Sequence, residues 1–305
     1  MRQTLSSAEA FSLYEKARRF MPEAEFSSSV QEISALMDIA DEFDVAVLDS
    51  FGVLNVGDAT IPGAAEAVIS LRFKGKHIIV LTNGATLDQA GAVAKVKGFG
   101  FDIDSEDVIS SRSALQAGLH SCDAGMLWGV MAPAHANCHT LGIDHVLLDD
   151  APETFSKVDG FIMLSAYEWS PGQQVLLQTA LAKKARPLLV GNPDLVSPQR
   201  GELFVEPGYF AWCAYEETGI VPVSYGKPHP QVFEQAKQRI QQLRGRVDGA
   251  RILMVGDSLH TDILGGAAAG FKTVLTTQDG FLSGAEPYEY FEASGIRPDY
   301  MLPRI

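Results

Sequence analysis

Short, continuous apolar runs alternate with stretches of helical periodicity along most of this chain. The runs have the length of strands that are buried on both faces of a parallel sheet, and they lie at residues 45–48, 77–81, 161–164, 187–190 and 252–255. Apolar residues recur at helical spacing between the runs, as at residues 64–73 and 230–243. Because strands that alternate with helices form βαβ units, the pattern predicts an α/β fold with a doubly wound, Rossmann-like parallel sheet.

Residues 1–40 lack the strand pattern and are predicted to form a helical extension. Ser6, followed three positions later by Glu9, resembles a capping box, and apolar residues then recur at helical spacing. A second helix is predicted at residues 30–40. Since most helices bury an apolar face, we expect the extension to pack on the core. A contact with a second subunit or with another domain is the alternative.

Polar residues follow the predicted strands in two blocks, at residues 45–85 and 222–262. The stretch at 121–221 has its own strand and helix patterns but none of these residues. This arrangement predicts an α/β cap domain inserted into a core domain that is formed by residues 41–120 and 222–305. A chain of 305 residues is long enough for two such domains.

The acidic charge of the chain disfavours nucleic acids as partners. The formal net charge is −14, whereas nucleic-acid binding depends on Lys and Arg that neutralise phosphates. No run of about 18 apolar residues exists, so no membrane partner is expected. Three cysteines without close pairing, and no apolar signal segment, favour a cytoplasmic location. An acidic protein that handles an anionic substrate needs a metal ion or a few well-placed donors.

Four polar elements follow or adjoin the predicted strands, namely Asp49, Thr82 with Asn83, Lys227 and Asp257. Ligands bind outside the carboxyl ends of the strands in doubly wound sheets, so we expect these residues to meet at one edge. A carboxylate can attack phosphorus as a nucleophile, and it is also a hard oxygen ligand for Mg²⁺. The sequence therefore predicts a site for phosphoryl transfer with Mg²⁺ as cofactor.

Each residue of this set has an expected role. Asp49 is the predicted nucleophile and a metal ligand, and Asp257 is a second metal ligand. Asp262 is expected to hold the metal or to orient Lys227. Lys227 is expected to neutralise charge that grows on the transferred group. Donors to the phosphoryl oxygens are expected from Ser50, Gly52, Thr82, Asn83, Gly84 and Lys227.

Four segments resemble, in this order, the motifs of the haloacid dehalogenase superfamily. They are VAVLDSFGVL at residues 45–54, LTN at 81–83, GKP at 226–228 and VGDSLHTD at 255–262. The resemblance implies a hydrolase that forms a covalent intermediate on the first aspartate. For a phosphatase of this superfamily it also implies Mg²⁺, with the backbone carbonyl of Phe51 as a further ligand.

Two more segments, IPGA at residues 61–64 and GNPD at 191–194, are similar to one branch of that superfamily. The branch holds nitrophenyl phosphatases, pyridoxal phosphatase and sugar phosphatases, and it carries an α/β cap between the second and third motifs. The resemblance implies a small phosphorylated metabolite as substrate and pairing of two chains through their caps. It also implies that Asn192 and Asp194 face the substrate, although a turn stabilised by these two side chains is the alternative.

One position departs from the pattern of the superfamily. Its phosphatases carry a second Asp two residues after the nucleophile, which protonates the leaving group and later activates water. This chain has Phe51 there, and a phenyl ring cannot transfer a proton. Loss of a general acid–base costs about 10²- to 10⁴-fold in rate. The defect is large for an alkyl phosphate and small for a leaving group that departs as a stable anion.

Three functions stay open at this point. The first is a phosphatase or phosphotransferase in which the substrate, water, His260 or a cap residue supplies the proton. The second is a metal-independent enzyme like the haloacid dehalogenases, which also place an aromatic residue at the position of Phe51. The third is a non-catalytic protein that binds phosphorylated metabolites. A separate zinc site in the cap is a further alternative, on a cluster formed by His135, Cys138, His139 and His145.

Overall fold

The computed structural model describes residues 3–122, 125–199 and 201–305. The α-helices are α1 (Ser7–Ala17), α2 (Ala64–Phe73), α3 (Gln89–Gly98), α4 (Ser111–Leu119), α5 (Pro152–Lys157), α6 (Pro171–Lys183), α7 (Pro207–Thr218), α8 (Pro230–Arg244), α9 (Leu264–Ala268) and α10 (Pro287–Ser294). The strands are β1 (Thr4–Leu5), β2 (Gln31–Glu32), β3 (Val45–Leu48), β4 (Asn55–Val56), β5 (Ala59–Thr60), β6 (His77–Thr82), β7 (Val108–Ser110), β8 (Trp128–Met131), β9 (His145–Leu147), β10 (Gly160–Met163), β11 (Leu188–Val190), β12 (Val196–Gln199), β13 (Glu202–Val205), β14 (Val223–Ser224), β15 (Ile252–Gly256), β16 (Lys272–Thr276) and β17 (Tyr300–Leu302).

The largest sheet, called the core sheet below, has seven strands in the order β2-β17-β16-β15-β3-β6-β7. Every neighbouring pair in it is parallel. Both faces of β3 are covered, because Val45 and Val47 belong to one hydrophobic cluster while Ala46 and Leu48 belong to another. The predicted fold class is confirmed, and each of the five predicted strands occurs within one residue of its expected ends.

A second sheet, called the cap sheet below, has five parallel strands in the order β14-β11-β10-β8-β9. It lies in the chain between α4 and α8. The inserted domain was expected to end at residue 221, but β14 pairs with β11 and the sheet extends to Ser224. A strand of two residues is too short to show a period in the sequence, which explains the difference.

The N-terminal segment joins both parts of the molecule. Strand β1 pairs with β13, which forms an antiparallel hairpin with β12. Helix α1 then begins with the predicted capping box, in which the Ser6 side chain accepts from the Glu9 N–H and the Glu9 carboxylate accepts from the Ser6 N–H. The helix packs on the core in one hydrophobic cluster with Ile263 and Phe281. The expected packing on the core and the contact with another domain therefore both occur.

The predicted second helix at residues 30–40 is wrong. Residues Gln31–Glu32 form the edge strand β2 beside β17, and a 3₁₀ segment follows at Leu36–Glu42. The Asp38 carboxylate accepts two backbone N–H groups just ahead of that segment and fixes where it begins. Apolar spacing of three to four residues does not separate a 3₁₀ turn from an α-helix, and pairing with β17 claims the preceding backbone.

The helices of the described residues can be compared with the length and hydropathy that a membrane-spanning helix needs. No helix at 3–122, 125–199 or 201–305 is both long and apolar enough to cross a bilayer.

Candidate active site

Polar residues from three adjacent strands meet at the carboxyl edge of the core sheet. Strands β15, β3 and β6 are neighbours, and Asp257, Asp49 and Asn83 follow their last residues directly. Parallel strands bring their carboxyl ends to the same edge, so the order of the sheet places these three side chains together. Lys227 joins them from the loop that precedes α8.

Lys227 lies between two carboxylates at the centre of this site. Its Nζ is 2.6 Å from Oδ1 of Asp49 and 2.6 Å from Oδ1 of Asp262. All three side chains are buried. Burial alone would lower the pKa of Lys227, but the charges of Asp262 and Asp49 raise it above its ordinary value. Lys227 therefore stays charged at neutral pH, and Asp262 is a direct partner that orients it.

Asp49, Asp257 and Asp262 form a cluster of buried acids. Each offers an oxygen atom, and these atoms lie within 4.8 Å of one another. Burial raises the pKa of Asp49 to about 7, against the opposing effect of Lys227. Burial, with the charges of Asp262 and Asp49, raises the pKa of Asp257 well above its ordinary value. A cation stabilises such a cluster, and a set of carboxylate oxygens suits Mg²⁺, so the residues fit the expected metal.

The backbone and a glycine hold Asp257 in place. Its Oδ2 accepts from the Phe281 N–H at 2.7 Å. Gly52 has a φ of 73°, in the left-handed region, and a Cβ there would lie 2.5 Å from the Asp257 carboxylate. Glycine is thus required at position 52 for both conformation and space. The Gly52 N–H, which was expected to donate to a ligand, donates to the Asn55 carbonyl at 2.9 Å in this structure.

Asn83 connects three parts of the site. Its Oδ1 accepts from the Lys227 N–H at 2.7 Å, and its Nδ2 donates to the Lys227 carbonyl at 3.0 Å. The same Nδ2 donates to Oδ1 of Asp194 at 2.7 Å. The sequence suggested that this amide binds phosphoryl oxygens directly. In this structure the amide fixes the lysine loop and the segment between β11 and β12 against β6.

Asn192 and Asp194 lie where this segment meets the core sheet. The Asn192 Oδ1 accepts from the Asp194 N–H at 3.1 Å, and its Nδ2 donates to Glu206 at 3.3 Å. Burial raises the pKa of Asp194 to about 7, although the Lys227 charge and the Asn83 hydrogen bond oppose this shift. Asn192 therefore shapes a turn, as the alternative predicted, while Asp194 is electrostatically coupled to the site.

The expected donors next to Asp49 and β6 also have partners within the chain. The Ser50 N–H donates to Asp49 Oδ1 at 2.7 Å, and its hydroxyl donates to Asn55 Oδ1 at 2.6 Å. The Gly84 N–H donates to Thr82 Oγ1 at 3.1 Å. Ser50 and Gly84 thus stabilise their loops in this structure. The Thr82 hydroxyl accepts this hydrogen bond and donates none that is resolved among the described residues.

His260, a candidate proton donor, contacts the N-terminal helix in this structure. Its Nε2 is 2.6 Å from Oε1 of Glu15, and its ring stacks on Tyr14. Burial lowers the pKa of His260, and the hydrogen bond to Glu15 only partly opposes this effect. The sequence offered no signal for these two partners, because α1 lies some 245 residues from His260 along the chain.

The His and Cys residues of the cap form no metal site among the described residues. The three aspartates above are the single group of at least three ligands whose atoms lie close together there. The His145 Nδ1 lies 3.1 Å from the Ile143 carbonyl, and the His135 ring contacts Tyr167 at its edge. The zinc alternative is therefore not supported.

Two family models match separate parts of the chain. The first, described as haloacid dehalogenase-like hydrolase, matches residues 46–144, and the second, described as HAD-hydrolase-like, matches residues 224–305. Among curated relatives, dihydroxyacetone phosphatase of Corynebacterium glutamicum is 27% identical over 259 residues, which are 84% of this chain and 87% of that protein.

Solved structures share the whole fold. A protein described as a possible sugar phosphatase from Cytophaga hutchinsonii matches with a TM-score of 0.78 at 23% identity, over 90% of this chain and 98% of that one. Glycerol phosphate phosphatase of Mycobacterium tuberculosis, solved in complex with magnesium, matches with a TM-score of 0.67 at 21% identity, over 89% and 76%. At these identities the likeness concerns the fold.

Proposed function

This chain belongs to the haloacid dehalogenase-like hydrolases, and we propose that it is a Mg²⁺-dependent phosphatase that acts on a small phosphorylated metabolite by way of Asp49. One observation carries the proposal: the contact of Asp49 with Lys227 inside a cluster of three buried carboxylates. Relatives named as phosphatases support the same type of reaction.

The side chains on this sheet edge suit a reaction in two steps. A carboxylate oxygen of Asp49 bonds to phosphorus, and the bond between phosphorus and the leaving oxygen breaks. The leaving oxygen departs as an anion or takes a proton from solvent water. Water attacks the aspartyl phosphate, which releases phosphate and returns Asp49 to its starting form. Lys227, 2.6 Å from Asp49, neutralises the charge that builds on the transferred group.

The acid cluster gives a physical reason for a metal requirement. Asp49, Asp257 and Asp262 would hold Mg²⁺, with the Phe51 carbonyl as the further ligand that the resemblance implies. Mg²⁺ supplies positive charge that stabilises the phosphoryl oxygens. Burial raises the pKa of Asp49 to about 7, which disfavours the charged, nucleophilic carboxylate, and a bound cation would favour that charged form. Activity should therefore depend on the metal.

Phe51 is expected to influence which substrates react. Phe51 offers no proton to the leaving group, so substrates whose leaving groups depart as stable anions should react fastest. Because haloacid dehalogenases also have an aromatic residue at the position of Phe51, a dehalogenase remained an alternative function in the sequence analysis. A metal-independent dehalogenase, however, does not require a cluster of three buried carboxylates that would hold Mg²⁺, and the cluster therefore favours the phosphatase.

Hydrolysis of 4-nitrophenyl phosphate tests the proposal. We expect turnover with Mg²⁺, loss of turnover with EDTA, and a fall of at least about 10³-fold in kcat for Asp49→Asn. The matched control is Asp102→Asn, which changes an exposed acid of the same domain and should leave turnover unchanged. Binding of phosphate esters without turnover of any would show a non-catalytic protein. Metal-independent release of chloride from a haloacid would show a dehalogenase.

A further inference from the structure

An ammonium group lies over the ring of Phe51. The Lys95 Nζ is 4.5 Å from the centroid of this ring and 5.8 Å from that of Phe99. Lys95 belongs to the second half of α3, the helix that follows the loop of Asn83. The chain therefore carries a cation beside the position where phosphatases of its family keep a carboxylic acid.

Lys95 makes no salt bridge with any carboxylate in the described part of the chain. It is only partly exposed, and burial lowers the pKa of Lys95, while the charges of Asp58 and Glu206 oppose this shift from a distance. The faces of Phe51 and Phe99 attract the ammonium, but a π-face is a weaker partner than a carboxylate. The lysine thus retains an attraction for an anion that no side chain satisfies.

Two acids from different parts of the chain influence the charge of Lys95. Asp58 lies in the turn between β4 and β5, which follows directly on the Asp49 loop. Glu206 precedes α7, and its carboxylate is bound by Asn192 and Ser197. The ammonium that contacts Phe51 is therefore also within the electrostatic influence of one acid that follows the Asp49 loop and of one that precedes α7.

We propose that Lys95 is a specificity-determining residue, which binds a carboxylate carried by the leaving group of the substrate. The inference rests on the proposed function, and it narrows the substrate class to phosphorylated acids. In an acidic site, a second negative charge on the substrate is unfavourable unless a cation meets it. Lys95 supplies that cation beside the residue that replaced the proton donor.

A pair of probes isolates this interaction. Glycerate 3-phosphate and glycerol 3-phosphate share a three-carbon skeleton and differ in having a carboxylate or a hydroxymethyl group. We expect the wild-type kcat/KM to favour the acid about 10- to 100-fold, the range for a charged hydrogen bond. In Lys95→Met this preference should fall to within about threefold of unity. Lys95→Arg should keep most of it.

Lys97→Met is the matched control, because Lys97 lies on the same helix and is exposed. This variant should keep the wild-type preference. Lys95→Glu should invert the order of the two probes. Equal losses on both probes in Lys95→Met, or a preference that survives the change, would overturn the proposal, since either result gives Lys95 no part in recognising charge.

The outcome stays separable from the proposed function. Wild-type turnover of 4-nitrophenyl phosphate with Mg²⁺ tests the phosphatase, independently of the ratio between the two probes. If neither probe is hydrolysed, their inhibition constants against 4-nitrophenyl phosphate give the same ratio. If there is no turnover at all, their dissociation constants from calorimetry do so. In each case a ratio that Lys95→Met leaves unchanged rejects the role of Lys95.

Discussion

Oε1 of Glu15 lies 2.6 Å from Nε2 of His260, so the N-terminal helix directly contacts the segment that carries Asp262. The Tyr14 ring stacks on the same histidine, with centroids 5.0 Å apart and an interplanar angle of 10°. The Tyr14 hydroxyl also accepts from the Leu195 N–H at 3.0 Å. One turn of α1 therefore links the acid cluster to the segment that carries Asp194.

Replacing Glu15 should weaken both the fold and the metal site. In Glu15→Ala the buried His260 loses its partner, which should cost about 1–3 kcal/mol in free energy of unfolding, measured by urea denaturation. The Mg²⁺ concentration for half-maximal activity should rise as well, because the segment at Leu259–Ile263 is held less firmly. Glu15→Gln, which keeps an acceptor, should lie between wild type and Glu15→Ala.

Glu23→Ala is the control for this prediction, since Glu23 is exposed in the same N-terminal segment. It should change neither stability nor metal dependence. A loss of stability in Glu15→Ala with an unchanged Mg²⁺ requirement would mean that α1 supports the fold without positioning the acids.

Restoring an acid at position 51 should depend on its neighbour. In Phe51→Asp the new carboxylate would lie beside the Lys95 ammonium, which would hold it ionised and make it a poor proton donor. We therefore expect a small gain in kcat for an alkyl phosphate from the single variant. The double variant Phe51→Asp/Lys95→Met should gain about 10-fold or more over it. Equal activity of the two variants would contradict this account.

Much of the core could be predicted from the sequence because its signals are local. A run such as Val45–Leu48 is apolar at every position, and only a strand covered on both faces requires that. Asp49 and Asp257 follow such runs, and their meeting at one edge then follows from parallel pairing. The capping box of Ser6 and Glu9 is equally local.

The remaining features depend on contacts between distant parts of the chain. Residues 30–40 have helical spacing, but pairing with β17 turns part of them into a strand. Asn83 carries a motif typical of phosphate contact, and only the tertiary structure shows that Lys227 and Asp194 occupy its amide. The partnership of Glu15 with His260 has no signature in either local sequence.

Removing the Asn83 side chain should lower both the stability of the protein and its activity. Asn83→Ala loses hydrogen bonds to Lys227 and Asp194 in a buried setting. At about 1 kcal/mol for each bond, the free energy of unfolding should fall by about 2–4 kcal/mol. The value of kcat should fall with it, because the lysine loop is no longer fixed against β6. The measurements are urea denaturation and turnover of 4-nitrophenyl phosphate.

Ser111→Ala serves as the matched comparison, since its hydroxyl donates to the Asn83 carbonyl rather than to the amide group. This variant should lose stability but keep most of its kcat. Full turnover in Asn83→Ala would show that the lysine loop holds its position without the hydrogen bonds of the Asn83 amide.

His229 should make the stability of the protein depend on pH in mildly acidic solution. Burial lowers the pKa of His229 to about 4, against 6.5 for the free side chain. Between these values the unfolded chain binds more protons than the folded one, so stability falls as the pH drops from about 6.5 to about 4. Linkage sets the upper bound of this loss at about 3 kcal/mol.

His229→Gln, which does not titrate, should lose less stability than wild type over the same range in urea denaturation at pH 7, 5.5 and 4.5. His139→Gln, at an exposed histidine, should follow the wild-type curve. Parallel curves for wild type and His229→Gln would mean that other groups govern the acid sensitivity.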